Sequence, residues 1–521
     1  MRYLYKYVNS LVFLKMIRPL TFICLFFILP QRLLSQLLPK EGKILNYRLI
    51  GFYFPSDKKT INYTIEIASD RLTDESSFRK KIIKTVRCKS NKIILEVPSF
   101  GAQYTWRTIE SSKSTTTKSE LHHFSTGAIP QLDTNSTRLR ILKPASKSKK
   151  GAFVIIEASK VMYDMEGHPV WYFPDTAGKP LALNDLRVSP QGTFTYLANG
   201  NAWEVNYDGD LLWKAPNNGE VSGDTIEYYH HEFTRLSNGH YMVLGNQYAD
   251  CRIERTTDSA TRISILTSRK HEINESVLER QPFGTLIEYD ESGKVVWSWK
   301  TSDYFAGSDL VNYMTPGGAK IIDVHANAFF FDEKEKTIYI SYKRISRILK
   351  IKYPEGTTIN SYGETYKPGV PETGNSLFCD QHSIGRSHDG HLLLFNDNGC
   401  HVGTTPRVEK FKEPLPGNNK LAVAWEYKCT VENGKPITFT TGGNLIELSD
   451  GSIFACMGSN YSKTFIVDSN KNVLWSALPE QWDADEKKWK PVLLYRACLI
   501  ENMKNLERLI WHTENIETSL H

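Results

Sequence analysis

The chain has 521 residues, of which 40% are hydrophobic, 12% are aromatic and 23% are charged. This composition excludes a disordered or coiled-coil protein, and the length suffices for a large core or for two domains. The net charge of +6 comes from residues 1–40, which contain six basic residues and no acidic residue. The rest of the chain is neutral overall, so the sequence predicts no nucleic-acid partner, which would need a clustered basic face.

The N-terminus has the pattern of an export signal. An apolar run, Leu20–Leu29, follows the basic residues Lys15 and Arg18. A basic segment followed by a short apolar segment is typical of a signal peptide, which we place at residues 1–36. The alternative is an uncleaved N-terminal anchor, because Leu11–Leu29 is nearly long enough to span a membrane, although Lys15 and Arg18 interrupt it. Both interpretations predict a periplasmic or secreted protein that contacts a membrane only through an uncleaved N-terminal segment.

Residues 38–128 contain short stretches in which apolar and polar residues alternate. Ser, Asp and Asn turns separate the stretches, a pattern that favours β-strands over helices. The stretch YTWRT, followed by HHFSTG, is similar to a fibronectin-III or immunoglobulin-like module. We therefore predict a small β-sandwich over residues 38–128, followed by a linker or an edge strand at 129–150. The predicted strands are KILNYRLIGFYF, TINYTIEIAS, KIIKTVRC, KIILEVP, AQYTWRTIE and LHHFST.

Two kinds of hairpin alternate along the chain after residue 150. One kind has an acidic or Asn/Gly turn before an apolar stretch that ends in Trp, and the other is built around a Gly turn. About six such units, spaced by about 50 residues, predict an all-β fold with a six-bladed β-propeller over 150–515. A large β-sandwich would not explain the regular alternation. The Trp hairpins are YDMEGHPVWYF, NYDGDLLWKA, EYDESGKVVWSW and VDSNKNVLWSA, and the Gly hairpins are RVSPQGTFTYL, TRLSNGHYMVLG, GRSHDGHLLLFND and IELSDGSIFACMG.

Three segments depart from this repeat. FFFDEKEKTIYISY (329–342) has the pattern of the Gly hairpin but a turn without Gly. We expect CLIENMKNLERLIW (498–511) to form the last hairpin, with its turn near Lys504. Residues 249–282 are polar and charged, which predicts a loop inserted at the end of one blade.

Alignment of the Gly hairpins on their turns brings three histidines to one repeat position. Equivalent positions of successive blades surround a single axis in a propeller. These side chains would therefore converge at one end of the central channel, although they lie far apart in the sequence, and we predict a site there. In blade order the position holds Asn184, His231, His325, His382, Gly443 and Arg496.

The hairpin that contains His382 permits a further prediction. A two-residue turn at Asp389–Gly390 would place Cys379 opposite Cys400 and Asp397 opposite His382. A disulfide can close at that separation, and export permits it. The carboxylate of Asp397 would then orient the imidazole of His382. Removal of the signal leaves seven cysteines, an odd number, so at least one stays unpaired.

Four segments, together with YRA at 495–497, match a known pattern. They are HHEFTRLSNGHYMVLG (230–245), LIEYDESGKVVWSW (286–299), DVHANAFFFDEKEKTIYISYKRISRILKI (323–351) and DQHSIGRSHDGHLLLFNDNG (380–399). They resemble the bacterial arylsulfate sulfotransferase family over roughly residues 150–500. The resemblance implies a six-bladed propeller exported to the periplasm. It also implies that a sulfated histidine carries a sulfuryl group from an aryl sulfate to a phenol, without a metal, a nucleotide donor or another cofactor.

The resemblance assigns roles to individual residues. The QH motif makes His382 the nucleophile, and the HxN motif makes His325 and Asn327 sulfate ligands. The HH motif supplies a further ligand, for which the repeat position favours His231 over His230.

Two departures from the family bear on substrate preference. The family arginine falls on Lys343, which keeps the charge but loses the two-pronged grip on sulfate oxygens. Arg344 would compensate only if the strand shifted by one residue, which would turn its side chain to the other face. The FDNG motif of the family has an extra residue here, as FNDNG (395–399).

The chemistry requires a nucleophile, positive charge around three sulfate oxygens and a proton for the leaving phenolate. We expect His382 to attack sulfur while Asp397 holds its tautomer. We expect His231 to protonate the leaving oxygen and later to deprotonate the acceptor. The expected ligands of the sulfate oxygens are His325, Lys343, Asn327 and Arg496.

The expected partners are a small phenolic sulfate donor and a phenol acceptor, and a homodimer is left open. Two other classes of protein remain. Three converging imidazoles could hold zinc in a metal hydrolase, and an exported propeller without catalysis would be a binding module. No Gly-rich phosphate loop occurs, so nothing favours a nucleotide sulfate donor. Three aromatic residues could either stack on an aryl ring or pack between blades: Trp203, Tyr228 and Tyr229.

Overall fold

A computed structural model describes the chain between residues 37 and 513, apart from internal gaps. Within these residues the fold is nearly all-β, with many four-stranded antiparallel sheets. No helix of this part of the chain is long and apolar enough to cross a membrane. The predicted signal segment, 1–36, lies outside the described residues. The described ranges are 37–55, 61–174, 182–253, 277–304, 313–314, 320–321, 324–363, 377–399, 405–414, 420–431, 442–459 and 461–513.

The first part of the chain forms two sheets that pack through aromatic side chains. Phe52 of the smaller sheet contacts Trp106 and Phe124 of the larger sheet, at 4.9 Å and 6.1 Å between ring centroids. The six predicted strand segments are confirmed. The larger sheet has the order β1-β8-β6-β3-β4 with β7 on β6, and the smaller sheet pairs β2 with β5. The strands are β1 (Ile44–Leu45), β2 (Leu49–Tyr53), β3 (Asn62–Ser69), β4 (Ile82–Cys88), β5 (Lys92–Glu96), β6 (Gln103–Ser111), β7 (Thr116–Lys118) and β8 (His122–Thr126).

A short helix, α1 (Glu75–Lys80), lies between two of these strands, where the sequence predicts a turn. Asp74 caps it by accepting a hydrogen bond from the backbone N–H of Ser77 at 2.9 Å, as Asp does at helix N-termini. Phe78 is the buried residue of the helix. A six-residue helix is too short to show a helical period, which explains why the sequence pattern missed it.

Six further sheets in the described residues each contain a run of four antiparallel strands. We number these sheets one to six. The strand named first in each sheet is called its inner strand, and the strand named last is at its outer edge. The inner strand and its neighbour form the inner hairpin in sheets one to five, and the other two strands form the outer hairpin. Sheet one contains β13 (Asn184–Val188), β14 (Phe194–Ala198), β15 (Asn201–Val205) and β16 (Leu211–Lys214). Sheet two contains β17 (Tyr229–Arg235), β18 (Tyr241–Ile253), β19 (Val277–Tyr289) and β20 (Val295–Lys300). Sheet three contains β23 (Ala326–Asp332), β24 (Thr337–Tyr342), β25 (Arg347–Lys352) and β26 (Thr358–Gly363).

The remaining sheets complete the set, and sheet six combines the first and the last strands of the part of the chain that forms the six sheets. Its inner strand comes from the C-terminal part, and its other three strands follow residue 150. Sheet four contains β27 (His382–Arg386), β28 (Leu392–Asn396), β29 (Arg407–Lys412) and β30 (Ala422–Lys428). Sheet five contains β31 (Gly443–Glu447), β32 (Ile453–Met457), β33 (Thr464–Val467) and β34 (Val473–Asp483). Sheet six contains β36 (Ala497–Ile500), β10 (Phe153–Ile156), β11 (Val161–Asp164) and β12 (Pro169–Tyr172). Outside the four-strand runs lie β9 (Thr137–Lys143), β21 (Tyr313–Met314), β22 (Lys320–Ile321), β35 (Lys488–Pro491) and α2 (Thr301–Tyr304).

The hairpins predicted from the two sequence repeats are confirmed, and each repeat has its own place in the sheets. The Gly hairpins, with the Gly-free copy at 329–342, are the inner hairpins of sheets one to five. The Trp hairpins are outer hairpins. The predicted edge strand at 129–150 is also found, because β9 pairs with β34 at the margin of sheet five.

The Trp residues of the outer hairpins connect neighbouring sheets. The indole N–H of Trp171 in sheet six donates to the carbonyl oxygen of Tyr207 in sheet one at 2.8 Å. The same contact recurs from Trp475 in sheet five to Met165 in sheet six at 3.0 Å. A buried Trp needs a partner for its N–H, and the adjacent sheet supplies it. Equivalent bonds run from Trp299 to Gly356 and from Trp425 to Ser469.

Polar side chains near the start of the inner strands connect the same sheets at their inner edge. Each bond joins one sheet to the backbone of the next, and the last bond returns from sheet six to sheet one. The bonds satisfy backbone groups that the strand ends would otherwise leave buried and unpaired. The backbone N–H donors and their acceptors are Phe233 to Asp185 (2.7 Å), Phe329 to Glu232 (3.2 Å), Leu445 to Ser383 (3.4 Å), Ala497 to Asn444 (3.1 Å) and Leu186 to Glu157 (2.8 Å), and the side chain of Asn327 donates to the carbonyl oxygen of Gln381 (2.7 Å).

The prediction of a last hairpin over 498–511 was wrong. The chain forms β36 and then a helix, α3 (Met503–Thr513), so no turn occurs near Lys504. The buried residues Leu506, Leu509 and Ile510 follow a helical rather than a strand period. The neighbour of β36 in sheet six is instead β10, which comes from the other end of the described chain.

The helix α3 packs against the first part of the chain. The closest approach is at Gly51 in β2, where a Cβ atom would lie 2.8 Å from Ile510 and 3.0 Å from Trp511. The side chain of Lys92 in β5 lies over the Trp511 ring, 4.6 Å from its centroid. The two parts of the chain therefore share one apolar interface built around α3.

The loop predicted at 249–282 was also wrong in its described parts. Residues 249–253 continue β18, and residues 277–282 belong to β19. The two strands pair without interruption from Tyr241–Tyr289 to Ile253–Val277. Cross-strand backbone pairing overrides the polar composition that suggested a loop. Residues 254–276 lie outside the described residues.

Candidate active site

The inner strands begin with residues in left-handed backbone conformation. At or beside four of these positions, the pairing between the first two strands of the sheet shifts register. Such a bulge bends the strand and redirects its side chains. The distortions lie at the strand ends where the repeat position predicts a site. The φ angles are 53° at Asp185, 62° at His231, 57° at His325, 49° at Ser383 and 106° at Gly443.

The bulge in sheet two holds two histidines. The register shifts between Tyr229 and Phe233, so that residues 230–232 lie opposite Leu244 alone. The two extra residues let two successive imidazoles lie on one side of the strand end, where an ideal strand would turn them to opposite faces. Their Nδ1 atoms are 2.6 Å apart.

The structure brings His231, His325 and His382 together with Tyr495, and we call these four residues the histidine cluster. The rings of His231 and His325 lie 5.0 Å apart between centroids and nearly perpendicular, at 82°. The ring of Tyr495 lies 6.2 Å from that of His231 and 6.2 Å from that of His382. Imidazoles from sheets two, three and four therefore meet beside a tyrosine that lies two residues before the inner strand of sheet six.

His382 is buried, and its Nδ1 atom faces two acceptors. Nδ1 lies 2.5 Å from Oδ2 of Asp397 and 3.1 Å from the carbonyl oxygen of Asp380. Because both partners can only accept while Asp397 is ionised, Nδ1 carries the proton and Nε2 has the lone pair. No hydrogen bond to Nε2 is found among the described residues. The side chain of Asp397 is fully buried behind the ring.

The predicted register around His382 was wrong, although the contact with Asp397 is present. His382 pairs with Phe395 rather than with Asp397. The loop has three residues between Ser387 and His391 instead of two, with its Gly in left-handed conformation, and a bulge adds a further shift. Asp397 therefore reaches the imidazole diagonally.

Cys379 lies beside this hairpin and is disulfide-bonded. Its predicted partner, Cys400, lies outside the described residues, so the pairing stays a prediction. Four cysteines of the described chain are free: Cys88, Cys429, Cys456 and Cys498.

Two histidines of the cluster have pKa values well below the ordinary value. Burial is the largest cause for His382, and the positive charges of Lys343 and Arg496 add to it. Burial is also the largest cause that lowers the pKa of His231, followed by the neighbouring His230 and His325. Loss of solvation and nearby cations both disfavour the charged imidazole. Both rings are therefore neutral at neutral pH, and neutral His382 can act as a nucleophile.

The predicted sulfate ligands on sheet three have different surroundings. Asn327 is fully buried and donates to the backbone of Gln381, while its Oδ1 has no hydrogen-bond partner among the described residues. Lys343 is partly exposed, and its charge acts on His382. Its backbone N–H donates to the carbonyl oxygen of His325 at 3.0 Å. Arg344 is exposed at the next position of the turn. Lys343 therefore provides the accessible positive charge near the cluster.

Arg496 is buried, with its terminal nitrogens on carboxylates. Nη1 donates to Asp185, and Nη2 lies 3.4 Å from Glu232. Arg187 binds the same two carboxylates. The two guanidinium charges are thus matched by two carboxylate charges. Nearby Glu157 is buried, and burial raises its pKa to about 8, so it is mostly protonated at neutral pH.

Tyr495 is a site residue that the sequence analysis missed. Its hydroxyl is buried and has no hydrogen-bond partner among the described residues. Burial raises its pKa well above the ordinary value, so the hydroxyl keeps its proton as a donor. The available signal was its position in the YRA motif, next to Arg496.

The aromatic residues left open by the sequence differ in position. Tyr228 is 48% exposed, and its ring lies 6.3 Å from that of His230. Tyr229 is buried with a bonded hydroxyl. Trp203 stacks on Tyr196 at 6.5 Å between centroids. Tyr228 is therefore the exposed ring of the three and lies beside His230, whereas the other two pack inside or between sheets.

The cluster does not have the arrangement of a metal centre. In the described ranges, no group of three or more His, Cys, Asp or Glu side chains is placed to hold a metal ion. His230 and His231 turn their Nδ1 atoms to each other at hydrogen-bond distance, which uses one nitrogen of each ring.

Comparisons with known proteins show similarity in structure only. No protein-family model matches the chain, and a search of the curated proteins finds no match. A protein of unknown function from Bacteroides caccae aligns with a TM-score of 0.37 and 13% identity, over 70% of this chain and 99% of its own. The periplasmic gluconolactonase PpgL of Pseudomonas aeruginosa gives 0.33 and 10% over 70% and 96%. Apo AztD of Citrobacter koseri gives 0.31 and 8% over 84% and 98%. These distant likenesses carry no argument about function.

The described chain is thus a nearly all-β protein of sequential four-stranded sheets with a partly buried histidine cluster at the start of their inner strands.

Proposed function

We propose that this protein is an exported aryl sulfotransferase. In this proposal, the six sheets are the blades of a β-propeller over 150–515, and residues 38–128 form an immunoglobulin- or fibronectin-III-like sandwich. The bonds that run from sheet to sheet and return to sheet one support the ring. The resemblance to arylsulfate sulfotransferases supports the activity and the periplasmic or secreted location.

The observation that carries the proposal is the state of His382. It is a neutral imidazole with Nδ1 bonded to Asp397 and with a lone pair on Nε2. In the first step, Nε2 forms a bond to sulfur while the bond from sulfur to the aryl oxygen breaks, and the phenolate leaves with the electron pair. In the second step, the oxygen of an acceptor phenol attacks sulfur, and the bond to Nε2 breaks. The enzyme alternates between free and sulfated forms, which predicts ping-pong kinetics.

Charge and hydrogen bonds around the sulfuryl group would stabilise both steps. Lys343 supplies positive charge, and His325 lies beside His231 on the neighbouring side. The hydroxyl of Tyr495 is a further donor with no other partner in the described residues. Fixed donors in a buried site stabilise the charge that develops on transferring oxygens. Arg496 contributes through its positive charge, since its two terminal nitrogens are bound to carboxylates.

His231 is the residue proposed to exchange a proton with the phenol. It is neutral and lies next to His325 and Tyr495. Tyr228 offers an exposed ring near this point on which an aryl group can stack. A positioned acid or base typically contributes about 10²–10⁴-fold to a rate.

The test is incubation of the purified protein with 4-nitrophenyl sulfate and phenol. We expect nitrophenol release that requires phenol, resists a chelator and is lost in His382→Ala. Mass spectrometry of the wild type, quenched with donor alone, should find the sulfuryl group on His382. Release that persists in His382→Ala contradicts the proposal.

A metal hydrolase is the other enzyme class considered, because imidazoles from three sheets lie close together, although in the described residues they are not placed as a group of metal ligands. It predicts a stoichiometric metal in elemental analysis and hydrolysis that stops with chelator and needs no phenol. A binding module predicts that His382→Ala changes no measurable turnover.

A further inference from the structure

His230 lies behind His231 and is bonded on both sides of its ring. Its Nδ1 is 2.6 Å from Nδ1 of His231, and its Nε2 is 2.9 Å from Oδ1 of Asn246. The two imidazole planes are nearly perpendicular, at 89°. Asn246 is itself placed by its backbone, whose N–H donates to the carbonyl oxygen of Tyr228 at 3.2 Å. The result is a chain of hydrogen bonds from β18 through His230 to His231.

Each link of this chain fixes the position of one proton. The amide oxygen of Asn246 accepts only, so Nε2 of His230 carries a proton. A neutral His230 then has its lone pair on Nδ1. Only one proton fits between the two facing Nδ1 atoms. Because Nδ1 of His230 holds a lone pair, this proton is bonded to Nδ1 of His231. The Nε2 atom of neutral His231 therefore has a lone pair.

We propose that His230 is a neutral ring and that His230 and Asn246 are positioning residues, which hold His231 as the proton acceptor for the phenol in the second transfer step. This inference rests on the proposed sulfotransferase function and differs from the sequence-based expectation that His231 protonates the leaving oxygen. The Nδ1 proton of His231 is directed at His230, and its Nε2 has none to give.

The two half-reactions then differ in their proton chemistry. In the first, nitrophenolate is a stable leaving group, so the bond to sulfur breaks without a proton from His231, and the phenolate takes up a proton from solvent. In the second, the acceptor phenol gives its proton to Nε2 of His231 as its oxygen attacks sulfur. The Nδ1 proton of His231 can pass to His230 at the same time, which leaves the positive charge on the outer ring, bonded to Asn246. Release of this proton to solvent balances the proton taken up by the phenolate and restores the neutral pair.

The proposal is tested by measuring the half-reactions separately. Sulfation of the enzyme is followed as the burst of nitrophenol from 4-nitrophenyl sulfate without acceptor. Desulfation is followed by adding phenol to the isolated sulfated enzyme. The variants are Asn246→Ala, His230→Leu, which has no acceptor, and His230→Asn, whose amide oxygen can replace Nδ1. The matched control is Gln247→Ala, the next residue on β18, which bonds to Ser302 instead.

We expect Asn246→Ala and His230→Leu to slow desulfation by about 10- to 100-fold, part of what a positioned base contributes. Sulfation should change less than twofold in both. His230→Asn should recover most of the desulfation rate, and Gln247→Ala should match the wild type. Thermal melting verifies that each variant is folded.

Equal slowing of both half-reactions, or of neither, overturns the proposal, as does a His230→Asn variant as slow as His230→Leu. A wild-type protein without any nitrophenol burst overturns the proposed function itself. The two failures are therefore distinguishable.

Discussion

The inner and outer hairpins of the sheets use their buried polar groups in opposite ways. The inner strands bury carboxylates and amides such as Asp185 and Asn327 and hold His231 in left-handed conformation. The outer hairpins bury Trp171 and Trp475, whose only polar atom donates to the next sheet. The inner strands hold the histidines of the cluster, and the outer hairpins hold the packing contacts between sheets.

The difference shows how the fold tolerates the free-energy cost of its inner strands. A left-handed residue other than Gly costs about 1–2 kcal/mol, and buried charges lose solvation that their partners only partly replace. A buried Trp contributes about 3–5 kcal/mol, judged by its truncation. The outer hairpins therefore supply stability that the inner strands give up. Changes in the two hairpin types should separate activity from stability.

The largest expected effect on the inner side is that of Asp397→Asn. The amide can present N–H to Nδ1 of His382, which moves the ring proton to Nε2 and removes the nucleophilic lone pair. A wrong tautomer of this kind costs about 10³–10⁴-fold in rate. Single-turnover sulfation measures it, and Asp389→Asn in the exposed turn of the same hairpin is the control. An Asp397→Asn variant within tenfold of the wild type would show that the carboxylate does not set the tautomer.

On the outer side, Trp475→Ala should destabilise the fold by about 3–5 kcal/mol. The ring is fully buried, and its N–H is bonded to Met165. Denaturant unfolding measures the loss, and Trp482→Ala, at a 39% exposed position, should cost much less. Activity per folded molecule should stay within twofold. A large loss of activity in folded Trp475→Ala would break the separation between the two hairpin types.

The pH dependence of stability should change in Glu157→Gln. Burial raises the pKa of Glu157 to about 8 from an ordinary 4.5, so the folded protein holds a proton that the unfolded chain releases. The free energy of unfolding therefore falls as the pH rises from about 5 to 8, by a few kcal/mol, and levels off above that.

Gln has no proton to lose and can still accept from the N–H of Leu186, so this part of the slope should vanish. Urea unfolding at pH 6 and pH 9 measures the difference. Burial also raises the pKa of Glu409, to about 7, but it contributes equally in both proteins. Identical slopes for wild type and Glu157→Gln would contradict the assignment.

The smallest expected effect is that of Lys343→Arg. A guanidinium can bond two sulfate oxygens at once where an ammonium cannot. We expect the KM for 4-nitrophenyl sulfate to fall by about two- to fivefold, with kcat changed less than twofold. Arg344→Lys at the adjacent exposed position should leave both constants unchanged. An unchanged KM in Lys343→Arg would place this side chain away from the donor.

The strands and hairpins were predictable because their signals are local. A Gly or Asn turn between alternating residues determines a hairpin without reference to the rest of the chain. The strands of the first part and the inner hairpins of sheets one to five lie where the sequence placed them. The repeat position also brought His231, His325 and His382 into one group, because it depends on the same turns.

Features that depend on distant parts of the chain were not predictable. The bulge at 230–232 and the register of His382 follow from how neighbouring sheets meet, which no local pattern encodes. The prediction of a hairpin where α3 lies was wrong because it extended the repeat beyond the last inner hairpin that is continuous in the sequence. The role of Tyr495 arises only when the start of β36 comes to lie beside sheets two and four.

Sheet six determines when the histidine cluster can form during synthesis. Its innermost strand, β36, follows the strand that it pairs with, β10, by more than 300 residues of chain. Tyr495 of the cluster lies on the segment that leads into β36. A shortened chain that ends before residue 495 would lack both Tyr495 and the inner strand of sheet six. The cluster is therefore complete only after the chain beyond residue 495 has been made.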